Sequence, residues 1–208
     1  MGFFIFMDKV NFYIDDFNIY HAIDKMKDNK LKWINYKLLC QKLLKSNETI
    51  NQIFYFSAYA TWKQSSYLKH RVFVRALKTE NINIILGNFK NKNKYIPNIN
   101  YNYKYHEEKE SDVNIAIHLV RDACRKNCDT AIILSGDSDL VPAIKMAKIE
   151  NNNLKIGVVI PANVQADSLK SVSDFNRKLS EFILYDFLFP KNIILNDKNI
   201  ISCPNDWT

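Results

Sequence analysis

The sequence predicts an α/β fold built on a parallel sheet. Short β-branched and aromatic runs alternate with segments of helical period along most of the chain, the pattern of successive βαβ units. The runs at 130–134 and 154–160 are apolar at almost every position, as strands buried on both faces are. Acidic residues gather where strands should end, at Asp15-Asp16 and at Asp137 and Asp139, and a parallel sheet assembles its ligand-binding loops at such ends.

Taken in order, residues 10–14 form the first strand and stop at the acidic pair. A helical pattern runs from residue 19, and a second helix fits 36–45, with Leu38, Leu39, Leu43 and Leu44 on one stripe. The run 50–60, containing Ile53, Phe54, Tyr55 and Phe56, is a second strand. A helix over 63–79 carries Leu68, Val72, Arg75 and Ala76 at helical spacing, and 82–86 is a third strand between Asn81 and Gly87. Residues 88–105 are rich in Asn, Lys and Tyr without helical period; they read as a long loop or irregular hairpin suited to substrate contact. An amphipathic helix over 112–126, a buried strand at 130–134, a helix over 139–151 with Pro142 in its first turn and a buried strand at 154–160 follow. A helix at 167–175, a weak strand at 182–184 and a tail held by Phe189, Ile193, Ile194 and Trp207 complete the chain. The expected organisation is one domain over 1–186 with a tail, 187–208, packed on it.

With 208 residues, 47% of them hydrophobic and 13% aromatic, the chain can bury a continuous core, which excludes global disorder. Four Gly and five Pro exclude collagen-like and linker-dominated chains, and no stretch approaches the roughly 20 apolar residues that cross a bilayer. The apolar run at 2–7 lacks a preceding basic segment and a small-residue cleavage site, so it is not read as a signal peptide, and a cytoplasmic location is expected. Cys40, Cys124, Cys128 and Cys203 are accordingly expected as free thiols. The net charge of +7 suits a phosphate-bearing partner, although Lys-, Asn- and Ile-rich codon drift gives the same excess.

The acidic residues carry the chemistry. Asp15 and Asp16 end the first strand, Asp137 and Asp139 follow the strand at 130–134, and Asp112 begins the long helix on the stripe that continues through Ala116, Leu119 and Ala123. Singly, Asp112, Ser138 and Asp139 are ordinary helix-capping residues. Brought together from three segments, such carboxylates repel unless a cation lies among them, and Mg²⁺ or Mn²⁺ takes oxygen ligands and activates water toward a phosphodiester.

Three stretches, 12–20 (Phe-Tyr-Ile-Asp-Asp-Phe-Asn-Ile-Tyr), 108–116 (Glu-Lys-Glu-Ser-Asp-Val-Asn-Ile-Ala) and 131–142 (Ala-Ile-Ile-Leu-Ser-Gly-Asp-Ser-Asp-Leu-Val-Pro), resemble the NYN domain of the PIN-like nuclease superfamily in content, order and spacing. The likeness extends loosely over about residues 9 to 207. It implies a Rossmann-like, three-layer PIN-like fold with a central, mainly parallel sheet, and a Mg²⁺- or Mn²⁺-dependent ribonuclease-type site. By that resemblance Asp15, Asp112, Asp137 and Asp139 are the metal-holding and catalytic residues. Asn18 is assigned to substrate or to support of the first acid, and Lys109, Ser135 and Ser138 to substrate; Lys90, Lys92 and Lys94 of the basic, tyrosine-rich segment are candidates for RNA contact, a solvated face with core tyrosines explaining the same residues. The implied partner is RNA rather than DNA, without a membrane, and a homodimer is compatible. The alternative is a non-catalytic RNA-binding or regulatory module of the same fold.

One residue departs from the pattern: the family usually has Gly where this chain has Asp16. Adjacent strand-end side chains point to opposite sides, so Asp16 is expected to strain the turn through a positive φ rather than to ligate metal, and Asp16→Gly to stabilise slightly. A phosphatase with an Asp nucleophile would want Asp-x-Asp here and is disfavoured. Cys124 and Cys128, four apart, lack two further zinc ligands and read as buried structural thiols. His21, His70 and His106 have no partner at triad or metal spacing. A second basic, aromatic stretch runs from Lys63 to Arg75.

Overall fold

The computed structural model describes residues 7–208, so the apolar run at 2–7 lies outside it save for Met7. Its six-stranded sheet has the order β3-β2-β1-β6-β7-β8, and every neighbouring pair is parallel. The strands are β1 (Asp8–Asp15), β2 (Glu48–Ser57), β3 (Asn83–Leu86), β6 (Thr130–Leu134), β7 (Lys155–Ile160) and β8 (Phe175–Lys178). Between β2 and β3, and from β3 to β6, the chain is carried by helix α3 (Gln64–Thr79), an antiparallel hairpin of β4 (Asn88–Ile96) and β5 (Tyr101–Lys109), and helix α4 (Ser111–Arg125). The remaining helices are α1 (Asp16–Met26), α2 (Tyr36–Leu43), α5 (Val141–Glu150), α6 (Asp167–Val172) and α7 (Glu181–Leu184), and β9 (Asn192–Ile194) pairs with β10 (Ile200–Ser202) in a terminal hairpin.

Side chains alternate across the pleat, and the buried ones separate into two layers. Val10, Phe12 and Ile14 of β1 pack with Ile19, Ile23, Leu39, Phe73 and Leu77 of α1 to α3 on one face. Tyr13 of β1, with Ala131 and Ile133 of β6, packs with Ile115, Leu119, Ile144 and Leu169 of α4 to α6 on the other. The result is the expected three-layer α/β arrangement. β1 lies at its centre, paired on one side with β2 and on the other with β6, so the strand order reverses between β1 and β6. In open α/β sheets the crevice beyond the strand ends at such a reversal is where ligands bind.

Between α4 and the sheet lies a polar network. The fully buried Asp122 accepts hydrogen bonds from Asn11 Nδ2 at 3.0 Å, Tyr13 Oη at 2.7 Å and Asn127 Nδ2 at 3.0 Å. Arg121 closes on it with Nε at 3.0 Å and Nη2 at 2.8 Å. The stripe α4 turns inward thus runs through Ser111, Ile115, Leu119 and Asp122, while Asp112 stands at its edge, half-buried.

Several elements differ from the sequence expectation. Residues 88–105 belong to a regular hairpin of two nine-residue strands, which its polar composition on both faces concealed. The weak strand at 182–184 is helix α7, and the sixth strand is β8, of which Phe175 alone is partly buried. Phe175 is placed by Gly157 of β7, where a Cβ would come within 2.2 Å of its ring. In the tail Phe189 is buried and Trp207 packs on Trp33 and Phe73, but Ile194 is 75% exposed. Cys128 is buried as expected, whereas Cys124 is exposed because it lies on the outer face of α4.

Candidate active site

Asp15 is the last residue of β1 and the N-cap of α1, accepting a hydrogen bond from Asn18 N at 3.1 Å. Its second oxygen accepts from Ser135 Oγ at 2.7 Å, just past the end of β6. Ser135 Oγ accepts in turn from Asp137 N at 3.0 Å, and Asn18 Oδ1 accepts from Gly136 N at 2.9 Å. Asn18 and Ser135 therefore lace the β1 turn to the β6 turn. Gly136 permits the closeness, since a Cβ there would meet Val164 Cγ1 at 2.4 Å and Asn18 Oδ1 at 3.2 Å. Asp137 caps the short 3-10 turn Ser138–Leu140, accepting from Asp139 N at 2.9 Å. Ser138 and Asp139 are exposed on that turn.

Asp112 arrives from the other side, in the first turn of α4. Its approach is set by Glu110, which holds a left-handed φ of 84° at the N-cap and accepts from Asn88 Nδ2 at 2.9 Å. Glu108 accepts from Ser111 N at 3.1 Å. Burial, and then the charges of Asp137, Glu108 and Asp139, push the Asp112 carboxyl up to about 6. Burial pushes Asp15 up to about 7, against the hydrogen bonds from Ser135 and Asn18, with Asp112 and Asp16 adding repulsion. The four acids named from the sequence thus sense one another, and Glu108 joins them as a fifth. It lies near the end of β5, and its place in the acidic run Glu-Lys-Glu-Ser-Asp that leads into α4 was the available signal.

A hard divalent ion fits this donor set of carboxylates, and Ser111 Oγ, buried beside Asp112, has no hydrogen-bond partner. Among the described residues no three His, Cys, Asp or Glu side chains stand close enough to ligate one ion directly. Mg²⁺ is commonly held by one or two carboxylates with water completing its shell.

The raised acids make the metal-free protein sensitive to pH. A carboxyl whose folded value lies above its unfolded one stabilises the fold when protonated; for Asp15 that contribution is complete below the ordinary 3.8 and is lost as pH rises through about 7. In chelator the stability, and with it the melting temperature, should therefore fall between about pH 4 and about pH 7, by a few kcal/mol at roughly 1.4 kcal/mol per pKa unit. Asp15→Asn should flatten this fall. A wild-type slope surviving in the variant would place its origin elsewhere.

Asp16 behaves otherwise than expected. It is the first residue of α1, its φ is not positive, and it is buried on the far side of the turn, accepting from Ser57 Oγ at 2.6 Å with His70 Nε2 at 3.7 Å. No backbone strain is present for glycine to relieve. Asp16→Gly should lower stability by about 1–3 kcal/mol in thermal unfolding, through the lost buried hydrogen bond and a more flexible helix start. His70 has partners after all, Tyr55 Oη at 3.2 Å and Ser57 Oγ at 3.4 Å, and burial lowers its pKa against the pull of Asp16.

The hairpin adjoins the acids, because β5 leads directly into α4. Register pairs Lys90 with Glu107, Lys92 with Tyr105, Lys94 with Tyr103 and Ile96 with Tyr101, so these lysines and tyrosines share one face. Tyr101 and Tyr103 are stacked at 6.4 Å, and Tyr103 lies 5.8 Å from Tyr105. Lys90, Lys92 and Lys94 are exposed; Lys92 comes within 3.9 Å of Glu107, and Lys109 pairs with the same carboxylate at 3.0 Å. At the hairpin base Phe89 packs on Phe17 and Trp62, and Trp62 stacks on His106 at 3.6 Å.

A family model for the NYN domain matches residues 5–179. The curated protein 6-hydroxy-3-succinoylpyridine 3-monooxygenase HspA of Pseudomonas putida is 37% identical over 57 residues, which are 27% of this chain and 18% of that protein. The match thus spans less than a fifth of that relative's length. The crystal structure of a protein of unknown function from Vibrio parahaemolyticus superposes with a TM-score of 0.58 over 91% of this chain and 100% of its own, at 16% identity, a likeness of fold. No helix among the described residues is long and apolar enough to cross a membrane.

Proposed function

The chain belongs to the NYN domain family, and on that premise we propose that it is a divalent-metal-dependent ribonuclease. The observation that carries the reading is the convergence of Asp15, Asp112, Asp137 and Asp139 at the sheet's point of reversal, where burial first and the neighbouring carboxylates second raise the pKa of Asp15 and Asp112. Among those four carboxylates, one or two directly and the others through water would hold Mg²⁺ or Mn²⁺, which would supply activation of the attacking water and neutralise charge on the leaving oxygen. Ser135 and Asn18 fix the Asp15 carboxylate and the turn that carries Asp137. Lys90, Lys92 and Lys94 hold phosphates while the tyrosines beside them stack on unpaired bases, a combination suited to single-stranded RNA. Lys109 and Ser138 lie at the junctions leading into the acids and complete the substrate path.

The test is incubation of end-labelled single-stranded RNA, structured RNA and DNA with Mn²⁺, Mg²⁺ or chelator, beside an Asp137→Asn control. Metal-dependent RNA products absent from the control support the reading; equal background in all lanes refutes it. Replacing Lys90, Lys92 and Lys94 together should weaken RNA binding and flatten its salt dependence by a slope of up to about 2, at roughly 0.7 per single-strand phosphate. An unchanged slope in a filter-binding titration would leave these lysines as solvated surface.

One observation favours a second reading, a non-catalytic RNA-binding module: no ready-made group of three ligands exists among the described residues. The lysine and tyrosine face of the hairpin favours a nucleic-acid substrate in this chain.

A further inference from the structure

On the opposite side of the β1 turn from the acids, a cavity of about 280 Å³ opens beside Asp16. Phe17, Tyr20, Phe73 and Trp207 contribute to its walls. It is slightly smaller than sites for drug-sized molecules, roughly 300–1,000 Å³, and suits one planar ring system between aromatic side chains. Its polar lining includes Asp16, Tyr36 and His70. Tyr36 is 1% exposed and lines the cavity, with no hydrogen bond of its hydroxyl to a described residue. Three lysines line the cavity. Lys32 pairs with Asp24 and Lys69 with Asp206, whereas Lys63 has no carboxylate partner among the described residues.

We propose that this cavity binds a guanine base carrying a phosphate. A buried carboxylate selects a ligand edge with two adjacent N–H donors, and among the common bases guanine alone offers them, at N1 and N2. Adenine and cytosine set an acceptor beside their donor, and uracil flanks its single donor with acceptors, so each would turn a lone pair toward Asp16. The adjacent guanine O6 accepts the free hydroxyl of Tyr36, the ring lies among the aromatic walls, and the phosphate reaches Lys63. Asp15 and Asp16 are consecutive, their Cα atoms about 3.8 Å apart. A base held on Asp16 is therefore one residue along the chain from Asp15, and the RNA strand leading from it would pass round the β1 turn to reach the acids. In this respect the inference rests on the ribonuclease reading, and cleavage next to guanosine is its expected consequence.

The source of the base, a free nucleotide or a residue of RNA, is separated by two arms of one experiment. The full chain is titrated calorimetrically in chelator with GMP, AMP, CMP and UMP, and RNA oligomers with a single G at different positions are mapped for cleavage in Mn²⁺. GMP should bind at least about 10-fold more tightly than the other three, a difference of roughly 1.4 kcal/mol. Asp16→Asn should abolish the preference, and Lys63→Ala should weaken GMP while sparing guanosine. Tyr36→Phe, which keeps the ring and the fold, should weaken GMP several-fold and so guards against an unstable Asp16 variant. Preferred cuts beside G assign the pocket to the RNA substrate; GMP selectivity without such cuts assigns it to a free nucleotide. GMP selectivity with no RNA cleaved anywhere keeps the pocket and removes the ribonuclease reading. Cleavage without base preference, together with equal binding of GMP and AMP, overturns the pocket and leaves the ribonuclease reading standing.

Discussion

Asp137→Asn and Asp112→Asn should each reduce RNA cleavage by at least about 10²-fold under conditions where the wild type turns over, because removing one charged ligand weakens both ion affinity and activation of water. The two variants report different halves of the site. Asp137 belongs to the β6 turn and is tied to Asp15 through Ser135, whereas Asp112 comes in on α4. If the halves form one centre, the double variant should be no worse than the poorer single one, since residues that act as a unit lose their effect once. Both exchanges relieve repulsion between carboxylates, so melting temperatures in chelator should hold or rise. Single-turnover cleavage at saturating Mn²⁺ is the measurement; wild-type rates in either variant would remove that residue from the site.

Asp122→Ala should be the most damaging single change to stability, on the order of 3–5 kcal/mol, because it strands the partners of a buried charge. Asn11, Tyr13 and Asn127 all donate to this carboxylate, and with it gone Asn11 and Tyr13 are left in the interior without their acceptor. Asp122→Asn should cost less, since the amide oxygen still accepts. Urea unfolding of the three proteins tests the order, and an alanine variant within about 1 kcal/mol of wild type would show that the network is dispensable.

What was legible in the sequence was what depends on local pattern. β6 matches its apolar run residue for residue, and the turn containing Asp137 follows it as expected, because a strand buried on both faces has nowhere to place a polar residue. The acids at 15, 112, 137 and 139 stood out as carboxylates at element ends, and the resemblance to the NYN domain singled out these four as the candidate site. β8 was missed for the converse reason: as an edge strand with one partly buried residue, it is held by pairing with β7 and by the space over Gly157, neither of which marks its own four residues. Asp122 was concealed by its helix, where an acid beside Arg121 reads as surface until Asn11 and Tyr13 are brought to it from more than a hundred residues away. Asp16 was misread because the turn was taken from a family in which glycine is usual, while here α1 begins directly at that residue.

The central position of β1 governs the order in which the molecule can be made. Its partner on one side, β6, starts at Thr130, so a ribosome has released the first strand long before that edge can be covered. During that interval Val10, Phe12 and Ile14 have only β2 beside them and an open row of backbone donors and acceptors, the kind of edge that invites pairing with another chain. Closure of the parallel pair must await more than a hundred intervening residues, a slow step for which local contacts give little help. Truncated or stalled chains ending before Thr130 will therefore be the sticky species, and Asp15 at the end of β1 meets the turn that follows β6 only when that long-range pairing forms.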